Sequence, residues 1–379
     1  MLLIGGDGGY SGVPRYILQM VRALREEYDL TVVSDQNTGG YDHLRGSGAR
    51  HLTVEGLRTS GSPLRAIRAL RGLREIVQNG QYDLVWAHSR MAVFLLRFLL
   101  LERALGMTRG DKPQFAITHH SLPFEEGMPR LYGAFLRIVE MLMIRIVTTH
   151  HIFFLSEIAR LRYVGAISAK ALRRHHLHVL TNCSDLDPLA PLTHAPETPR
   201  FIVMTGRDSY QKNLIAAVEI FAHLPPCYRL VLCGAGTDHP DFQAKVTARL
   251  RADQLNRVVL RGPVADIRPE LARASAYLLT SHYEGVPIGA LEAWEAGLPV
   301  ALPKIDGTAD ILSHHPLSAA LSLTDPASDA LHLDMMVSRY LSEQAVWQIR
   351  IQREWAARYS FTDWAERMRA KVSSITSSC

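Results

Sequence analysis

The 379-residue chain lacks the features that mark several common protein classes. Its four cysteines, Cys183, Cys227, Cys233 and Cys379, show no CxxC spacing. Neither a zinc site nor a disulfide framework is therefore expected, and a reducing cytoplasm fits. No apolar run reaches the ~20 residues that span a bilayer; the longest, 91–96 and 98–101, are interrupted by Arg97. The first residues, Met1-Leu2-Leu3-Ile4, lead straight into an apolar strand pattern without a basic segment or cleavage site, which argues against a signal peptide. No DxD motif or other obvious cluster of metal ligands occurs. No aromatic–basic platform or nucleic-acid motif appears either, so nucleic acid is not an expected partner. The dinucleotide fingerprint GxGxxG, internal repeats and low-complexity tracts are missing as well.

What remains is an ordinary globular composition, 47% hydrophobic and 21% charged, long enough for two domains with separate cores. The charge is unevenly shared. Residues 1–190 hold 23 Lys and Arg against 17 Asp and Glu, a net +6, whereas residues 191–379 hold 19 against 20, a net −1. The first half is thus expected to meet an anionic partner, with a membrane surface favoured over nucleic acid.

The pattern along the chain alternates strands and helices. In the first half, an apolar strand over 2–6 is followed by the glycine-rich loop Gly8-Gly9-Tyr10-Ser11-Gly12-Val13-Pro14-Arg15, a helix over 16–27 and a strand over 30–34. Such a loop is either a plain tight turn or a place where a ligand approaches the backbone at a helix start. A helix over 63–79 carries Arg65, Arg68, Arg71 and Arg74 at every third position; it reads as a solvated face or as a surface for lipid phosphates. A strand over 82–87 ends at His88, a helix covers 90–105, and a strand over 116–118 delivers His119 and His120 to a loop. Segment 130–147 is again apolar and basic, with Arg130, Arg137 and Arg145. A strand over 152–155, a helical stretch over 157–174 and a strand over 177–180 complete this half. Of its remaining histidines, His150, His151, His175 and His176 sit beside apolar runs and read as structural.

The best linker is 193–200, flanked by Pro191 and containing Pro196 and Pro199. Strands are expected beyond it over 201–205, 228–234, 258–260, 276–280 and 299–302, helices over 212–223, 240–253 and 266–274, and terminal helices over 342–358 and 362–372. This is the repeat of a parallel α/β sheet, in which ligands bind beyond the carboxyl ends of the strands.

Three loops sit at those ends. The first holds Gly206, Arg207, Lys212 and Asn213, a glycine and two cations between strand and helix, suited to a diphosphate. Two ordinary surface cations would look the same. The second is the turn Cys233-Gly234-Ala235-Gly236. The third is the stretch from Ser281 to Val300, S-H-Y-E-G-V-P-I-G-A-L-E-A-W-E-A-G-L-P-V. Free backbone N–H groups around the stretch 286–289 are suited to receive a phosphate, and Glu292 to accept from ribose hydroxyls. Trp294, at mid-helix, reads as core packing.

Together these loops resemble the donor-binding half of the retaining GT-B glycosyltransferases of family four, whose paired glutamates are matched by Glu284 and Glu292. The first half is similar more loosely: Gly12-Val13-Pro14-Arg15 to the family's glycine loop, Ile117-Thr118-His119 to the strand ending in its active-site histidine, and Thr181-Asn182-Cys183-Ser184-Asp185 to its P-N-G-V-D segment. The chain departs from the family at Thr181, at Cys183, at Asp310 (where a Glu is usual) and at His120 (where an Asp is usual).

The resemblance implies an α/β GT-B architecture, with two Rossmann-like domains facing a cleft: residues 1–192 for the acceptor and 198–357 for a nucleotide sugar, with 358–379 crossing back to the first. It implies donor diphosphate contacts from Arg207, Lys212, Gly12, Val286, Pro287 and Ile288, and nucleoside contacts from Glu292, Gly234 and Gly236. His119 and Glu284 would act at the reacting sugar, and Arg15, His88 and His120 would face the acceptor. The implied reaction is retaining transfer from a UDP-sugar, or second a GDP-sugar, to a lipid-linked or polysaccharide acceptor in cell-envelope synthesis. It would run without a metal or other cofactor, the nucleotide sugar being a substrate, at the inner face of the cytoplasmic membrane. A GT-B epimerase, or a non-catalytic sugar-nucleotide-binding partner of another transferase, are the alternatives.

Overall fold

A computed structural model describes residues 1–58, 62–107, 113–186 and 199–377. The expected linker therefore lies, except for its last two residues, outside the described residues. The chain divides into two units, residues 1–182 with 362–379, and residues 183–361.

The first unit runs β1 (Leu2–Ile4), α1 (Gly12–Leu24), β2 (Thr31–Ser34), β3 (Arg50–Thr53), α2 (Pro63–Asn79), β4 (Leu84–Ala87), α3 (Arg90–Ala104), β5 (Gln114–His119), α4 (Arg130–Ile146), β6 (His151–Phe154), α5 (Glu157–Ala166), α6 (Ala169–Leu172) and β7 (His176–Val179). Its seven strands form one parallel sheet in the order β3-β2-β1-β4-β5-β6-β7. The inner strands are almost wholly buried, as strands of a parallel sheet covered by helices must be, and they are mostly apolar, with Thr31 and Ser34 at the ends of β2 and a partly buried His151 at the start of β6. The edge strand β3 shows no apolar pattern because three of its four residues are exposed, and sequence periodicity misses it. α1 starts at Gly12, four residues before the expected position, because Ser11 is its extended N-cap and a proline in the first turn, here Pro14, costs no hydrogen bond. The helical stretch over 157–174 breaks where Ile167 turns extended and Ser168 caps α6.

The second unit contains β8 (Arg200–Thr205), α7 (Leu214–Ala222), β9 (Tyr228–Cys233), α8 (Pro240–Thr247), α9 (Ala252–Leu255), β10 (Val258–Leu260), α10 (Arg268–Ala272), β11 (Ala274–Leu278), α11 (Ile288–Glu295), β12 (Val300–Pro303), α12 (Asp306–His314), β13 (Ser318–Leu321), α13 (Pro326–Ser342) and α14 (Gln344–Tyr359). Its six parallel strands are ordered β10-β9-β8-β11-β12-β13. Trp294 is fully buried, and its indole donates to Ile351 O at 2.9 Å, tying α11 to α14. No element is expected from periodicity between 303 and 341, yet α12, β13 and α13 lie there. The signal was present: Asp325 caps α13, accepting from Ser328 N at 3.1 Å, and Pro326 stands at the position where proline suits a helix start. A final helix, α15 (Phe361–Thr376), belongs to the first unit in all but its first residue. There Trp364 packs edge-on to Tyr16 and donates to Thr181 O at 2.7 Å.

No helix of the described residues is long and apolar enough to cross a membrane. Cys183, Cys227 and Cys233 are free thiols.

Both sheets are doubly wound. In the first, the strand order reverses between β1 and β4; in the second, between β8 and β11. Loops leaving the two strands at such a point diverge, and a crevice opens beyond their carboxyl ends. The reversal at β8 and β11 is where the first and third loops singled out by sequence emerge.

Candidate active site

In the second unit, the loop after β8 is held against the loop after β9 by backbone contacts. Gly206 N donates to Cys233 O at 2.8 Å and Asp208 N to Ala235 O at 2.9 Å. A Cβ on Gly234, whose φ is +151°, would stand 2.1 Å from Gly206 O. Gly236, at φ +87°, lies against Asp208. These two glycines allow two loops to touch, so the need for glycine there follows from packing before any ligand is considered.

The cations of the first loop part company. Arg207 is exposed, whereas Lys212 turns inward and places Nζ 2.6 Å from Glu284 Oε1. The same oxygen accepts from Ser281 Oγ at 2.6 Å, and Gln211 Nε2 approaches Oε2 at 3.4 Å. Glu284 is 8% exposed. Its carboxylate thus sits among one cation and two neutral donors, the satisfied form a buried charge needs. Sequence reasoning placed Lys212 and Glu284 at one site but missed both their direct contact, across 72 positions, and the roles of Ser281 and Gln211. It also missed Gly307, where a Cβ would stand 2.1 Å from Gly285 O; α12 can pack on the Glu284 loop only because that side chain is absent.

Helix α11 begins over the ends of β8 and β11. A Cβ on Gly289 would lie 2.3 Å from Thr205 Oγ1 and 2.4 Å from the Tyr277 hydroxyl, two groups 2.7 Å apart. Pro287 is the N-cap and has no N–H, so it contributes fixed geometry, while Ile288 and Gly289 carry the N–H groups at the helix start. Val286, Ile288 and Glu292 are buried. Burial first, then the charges of Glu292 and Glu284, push the Tyr277 phenol pKa up, opposed by its bond to Thr205. The two glutamates therefore act on one spot beneath α11. Asp310, on α12, accepts from the Tyr359 hydroxyl.

In the first unit, the loop after β1 meets the end of β4. Ser89 Oγ donates to Gly5 O at 3.1 Å, and a Cβ on Gly6 would stand 2.6 Å from that side chain. Ser11 Oγ donates to Asp7 at 2.9 Å, leaving Gly12 and Arg15 in the first turn of α1. His88 is buried, stacked on Trp86 and near Tyr16 and His120.

His119, the last residue of β5, and His120, the first beyond it, point different ways. His120 packs edge-on to Tyr16, with ring centroids 4.7 Å apart. His119 enters a buried cluster on the opposite face of the sheet: its Nε2 is 3.6 Å from Glu140 Oε1. Glu140 is gripped by both terminal nitrogens of Arg97 and accepts from the Tyr163 hydroxyl at 2.5 Å. Arg97 and Glu140 side chains are 5% and 3% exposed. Burial would raise the Glu140 carboxyl pKa; the charge of Arg97, then His119, holds it well below the ordinary range. Burial lowers the His119 pKa, and Glu140 offsets part of that effect.

The buried histidines have a pH consequence. Burial, then a neighbouring histidine, lowers His120 to about 3 and drives His88 well below its ordinary value. Such groups are neutral when folded but bind protons near pH 6.5 when unfolded. Their stability contribution is intact above that pH and is lost as pH falls through it toward the folded pKa. At pH 5, His120 alone is expected to cost about 2 kcal/mol. Hydrogen exchange of peptides from the first unit at pH 7.5 and 5.0, corrected for the intrinsic exchange rate, should show lower protection at pH 5.0; equal protection would show that these histidines are not held neutral.

Among the described residues, no group of three or more His, Cys, Asp or Glu side chains is arranged to hold a metal ion.

Residues 11–183 match the glycosyl transferase 4-like domain, and residues 191–335 match glycosyl transferases group 1. The chain is 25% identical over 313 residues to the Escherichia coli UDP-Gal:alpha-D-GlcNAc-diphosphoundecaprenol alpha-1,3-galactosyltransferase, covering 78% of this chain and 77% of that protein. Among solved structures, it is similar to sucrose-phosphate synthase from Thermosynechococcus elongatus, with a TM-score of 0.78 at 14% identity over 100% of this chain and 99% of that one. It is also similar to Anabaena HepE in complex with UDP and glucose, with a TM-score of 0.73 at 16% identity over 98% and 99%. The strand orders and these likenesses establish a two-domain α/β GT-B fold.

Proposed function

Because the chain belongs to the group 1 glycosyl transferases, we propose that it moves a sugar from a UDP-linked donor, with retention, to a lipid-linked or polysaccharide acceptor in cell-envelope glycan synthesis. The observation that carries this reading is the Lys212–Glu284 pair, beside the first turn of α11 and at the point where the second sheet reverses its strand order. A cation, the N–H groups of Ile288 and Gly289, and a buried Glu292 one turn further on form a graded sequence of partners for diphosphate and ribose. The curated relative uses UDP-Gal, and one solved neighbour holds UDP, which favours uridine over guanosine.

In this reading Lys212 and Arg207 neutralise the charge that grows on the departing diphosphate, so no metal is needed for that step. Lys212 can do so because its ion pair with Glu284 already points it at the site; an arriving phosphate shares the cation, and Ser281 and Gln211 continue to hold the carboxylate. Glu292 accepts from ribose hydroxyls, with Gly234 and Gly236 beside the nucleoside. Glu284 lies near the reacting sugar. His119 donates to or accepts from sugar hydroxyls, with Glu140 as a positioning residue behind it. Gly12 belongs with the diphosphate, and Arg15, His88 and His120 with the acceptor. The acceptor oxygen attacks the face that the leaving group departs, through an oxocarbenium-like state, and the leaving phosphate takes the acceptor's proton. We place the protein at the inner face of the cytoplasmic membrane.

Purified protein incubated with radiolabelled UDP-galactose, UDP-glucose, UDP-N-acetylglucosamine and GDP-mannose, and with an undecaprenyl-diphosphate-linked sugar as acceptor, should label that acceptor from a UDP-sugar. The product should be the α-anomer, and EDTA should leave the rate unchanged. A β-product would overturn retention, abolition by EDTA would overturn the metal-free reading, and the absence of transfer or donor hydrolysis would favour a non-catalytic binding partner.

A further inference from the structure

Among the described residues of the second unit, every Phe, Trp and Tyr is buried or half-buried except Tyr210. Tyr210 is 56% exposed, in the loop that carries Arg207 and Lys212. A ring left in water forgoes the burial that draws the others inward. A single exposed aromatic is common on a surface and by itself says nothing. Two features set this one apart: it is held rigidly, and it stands beside the Lys212–Glu284 pair.

The ring stacks on the imidazole of His282, with ring centroids 4.5 Å apart and planes inclined by 27°. The backbone around the stack is closed. Ser209 O accepts from Lys212 N at 3.2 Å and from Asn213 N at 3.1 Å, and His282 N donates to Gln211 O at 2.8 Å. Gln211 Nε2 donates to Tyr283 O at 3.2 Å, and Thr280 Oγ1 to Asn213 O at 2.9 Å. These contacts zip the loop after β8 to the loop after β11, with the Tyr210–His282 stack on the seam. Burial lowers the His282 pKa, so at neutral pH the ring behind Tyr210 is a neutral imidazole and not a cation. Two positions after Tyr210 stands Lys212, and two after His282 stands Glu284, joined at 2.6 Å. Ser281, next to His282, donates to the same carboxylate.

A braced aromatic ring offers a large contact area at little cost in conformational freedom. Its face carries the negative part of the ring quadrupole. The C–H hydrogens gathered on one side of a pyranose are the positive, apolar counterpart, while the sugar's hydroxyls need polar partners, which the Lys212–Glu284 corner supplies next door. We propose that Tyr210, backed by His282, is a stacking platform for the apolar face of a hexopyranose, either the transferred sugar or the terminal sugar of the acceptor. The inference rests on the reading of the Lys212–Glu284 corner as the sugar-nucleotide site. It adds to that site the group that selects the sugar ring, where the cations and helix start serve the diphosphate.

Tyr210→Ala, Tyr210→Phe and His282→Ala in the full chain test this, through calorimetric Kd values for UDP and for the UDP-sugar that the wild type binds most tightly, and through the KM of an undecaprenyl-diphosphate-linked acceptor. Tyr210→Ala should leave the Kd of UDP within about twofold and raise one of the other two constants by about tenfold. A rise in the donor's Kd assigns the platform to the transferred sugar, and a rise in the acceptor's KM assigns it to the acceptor. Tyr210→Phe keeps the ring and should restore most of the loss; His282→Ala removes the backing and should reproduce part of it. Tyr210 is exposed, so the variants should keep wild-type far-ultraviolet circular dichroism. Three results overturn the proposal. The first is no change in either sugar constant. The second is an equal loss for UDP, which would make Tyr210 a brace for Lys212 or a partner of the base. The third is a loss that Tyr210→Phe does not restore, which would assign the effect to the hydroxyl. A wild type that binds neither UDP nor a UDP-sugar overturns the transferase reading and the platform with it. A wild type that binds them, together with any of those three results, overturns the platform alone.

Discussion

Replacing Lys212 with Ala is expected to lower kcat by about 10²–10³-fold, the scale seen when one preorganised group facing a developing charge is removed. The argument rests on where Lys212 stands. Its ammonium is fixed 2.6 Å from Glu284 Oε1 while its side chain keeps 21% exposure, so it is oriented yet reachable. Removing it deletes the cation expected to offset the leaving diphosphate. Glu284 keeps Ser281 and Gln211 as partners, so the fold should survive and the loss should show in turnover. Arg207→Ala should cost less, because Arg207 is exposed and its charge is screened by water. Binding offers a second readout: UDP at 100 times its wild-type Kd stabilises a protein by about 2.7 kcal/mol, and the Lys212 variant should lose most of that shift. Unchanged turnover and an unchanged UDP shift would remove Lys212 from the diphosphate site.

Glu140→Gln is expected to destabilise the first unit by about 3–5 kcal/mol, the penalty for leaving a buried charge unpaired. Both terminal nitrogens of Arg97 depend on that carboxylate, and neither side chain is more than 5% exposed. The amide keeps the shape but removes the charge that answers the guanidinium. Replacing both partners with apolar groups, Arg97→Met with Glu140→Leu, should recover more than half of the loss, because a desolvated pair contributes little beyond satisfying itself. Hydrogen exchange of peptides from α3 and α4 reads the effect locally, which matters in a chain of two units where a single unfolding midpoint is not well defined. A cost below about 1 kcal/mol would mean that the pair is solvated, as surface pairs are. Glu140 also raises the His119 pKa against burial. The Gln variant, where it folds, should therefore alter the pH dependence of turnover, an effect that lost packing alone would not produce.

Much of this protein could be read along the chain. The helix over 63–79 matches α2 residue for residue, because Pro63 starts it and Gly80 ends it. The loops after β8 and β11 were legible from glycine, cation and carboxylate placed between apolar runs, and the doubly wound order carries them to adjacent strand ends. Apolar periodicity over six or more residues is a local property, and local spacing is enough to state it. The edge strand β3 lacked that signal because it buries almost nothing, and α13 was announced by Asp325 and Pro326 instead of by periodicity.

Pairings between distant residues are of another kind. Nothing in the spacing of Lys212 and Glu284 says that they touch, and nothing near His119 points to Glu140, Arg97 or Tyr163. Each residue type alone is most often a surface group, and only the neighbours supplied by another strand or helix make it a buried partner. The same holds for His119 and His120, which look interchangeable in the chain. At the end of β5, His119 turns to the Glu140 cluster and His120, just beyond the strand, to Tyr16. It holds too for α4, whose apolar and basic pattern is plain in the chain: only the packing of Glu140, Met143 and Ile144 into the unit decides that its most apolar stripe is the one left outside. Residue types and local spacing therefore specify the loops and the chemistry they can hold. Burial and contacts across the sheet specify which charges are paired, which histidine faces which side, and which surface is left uncovered.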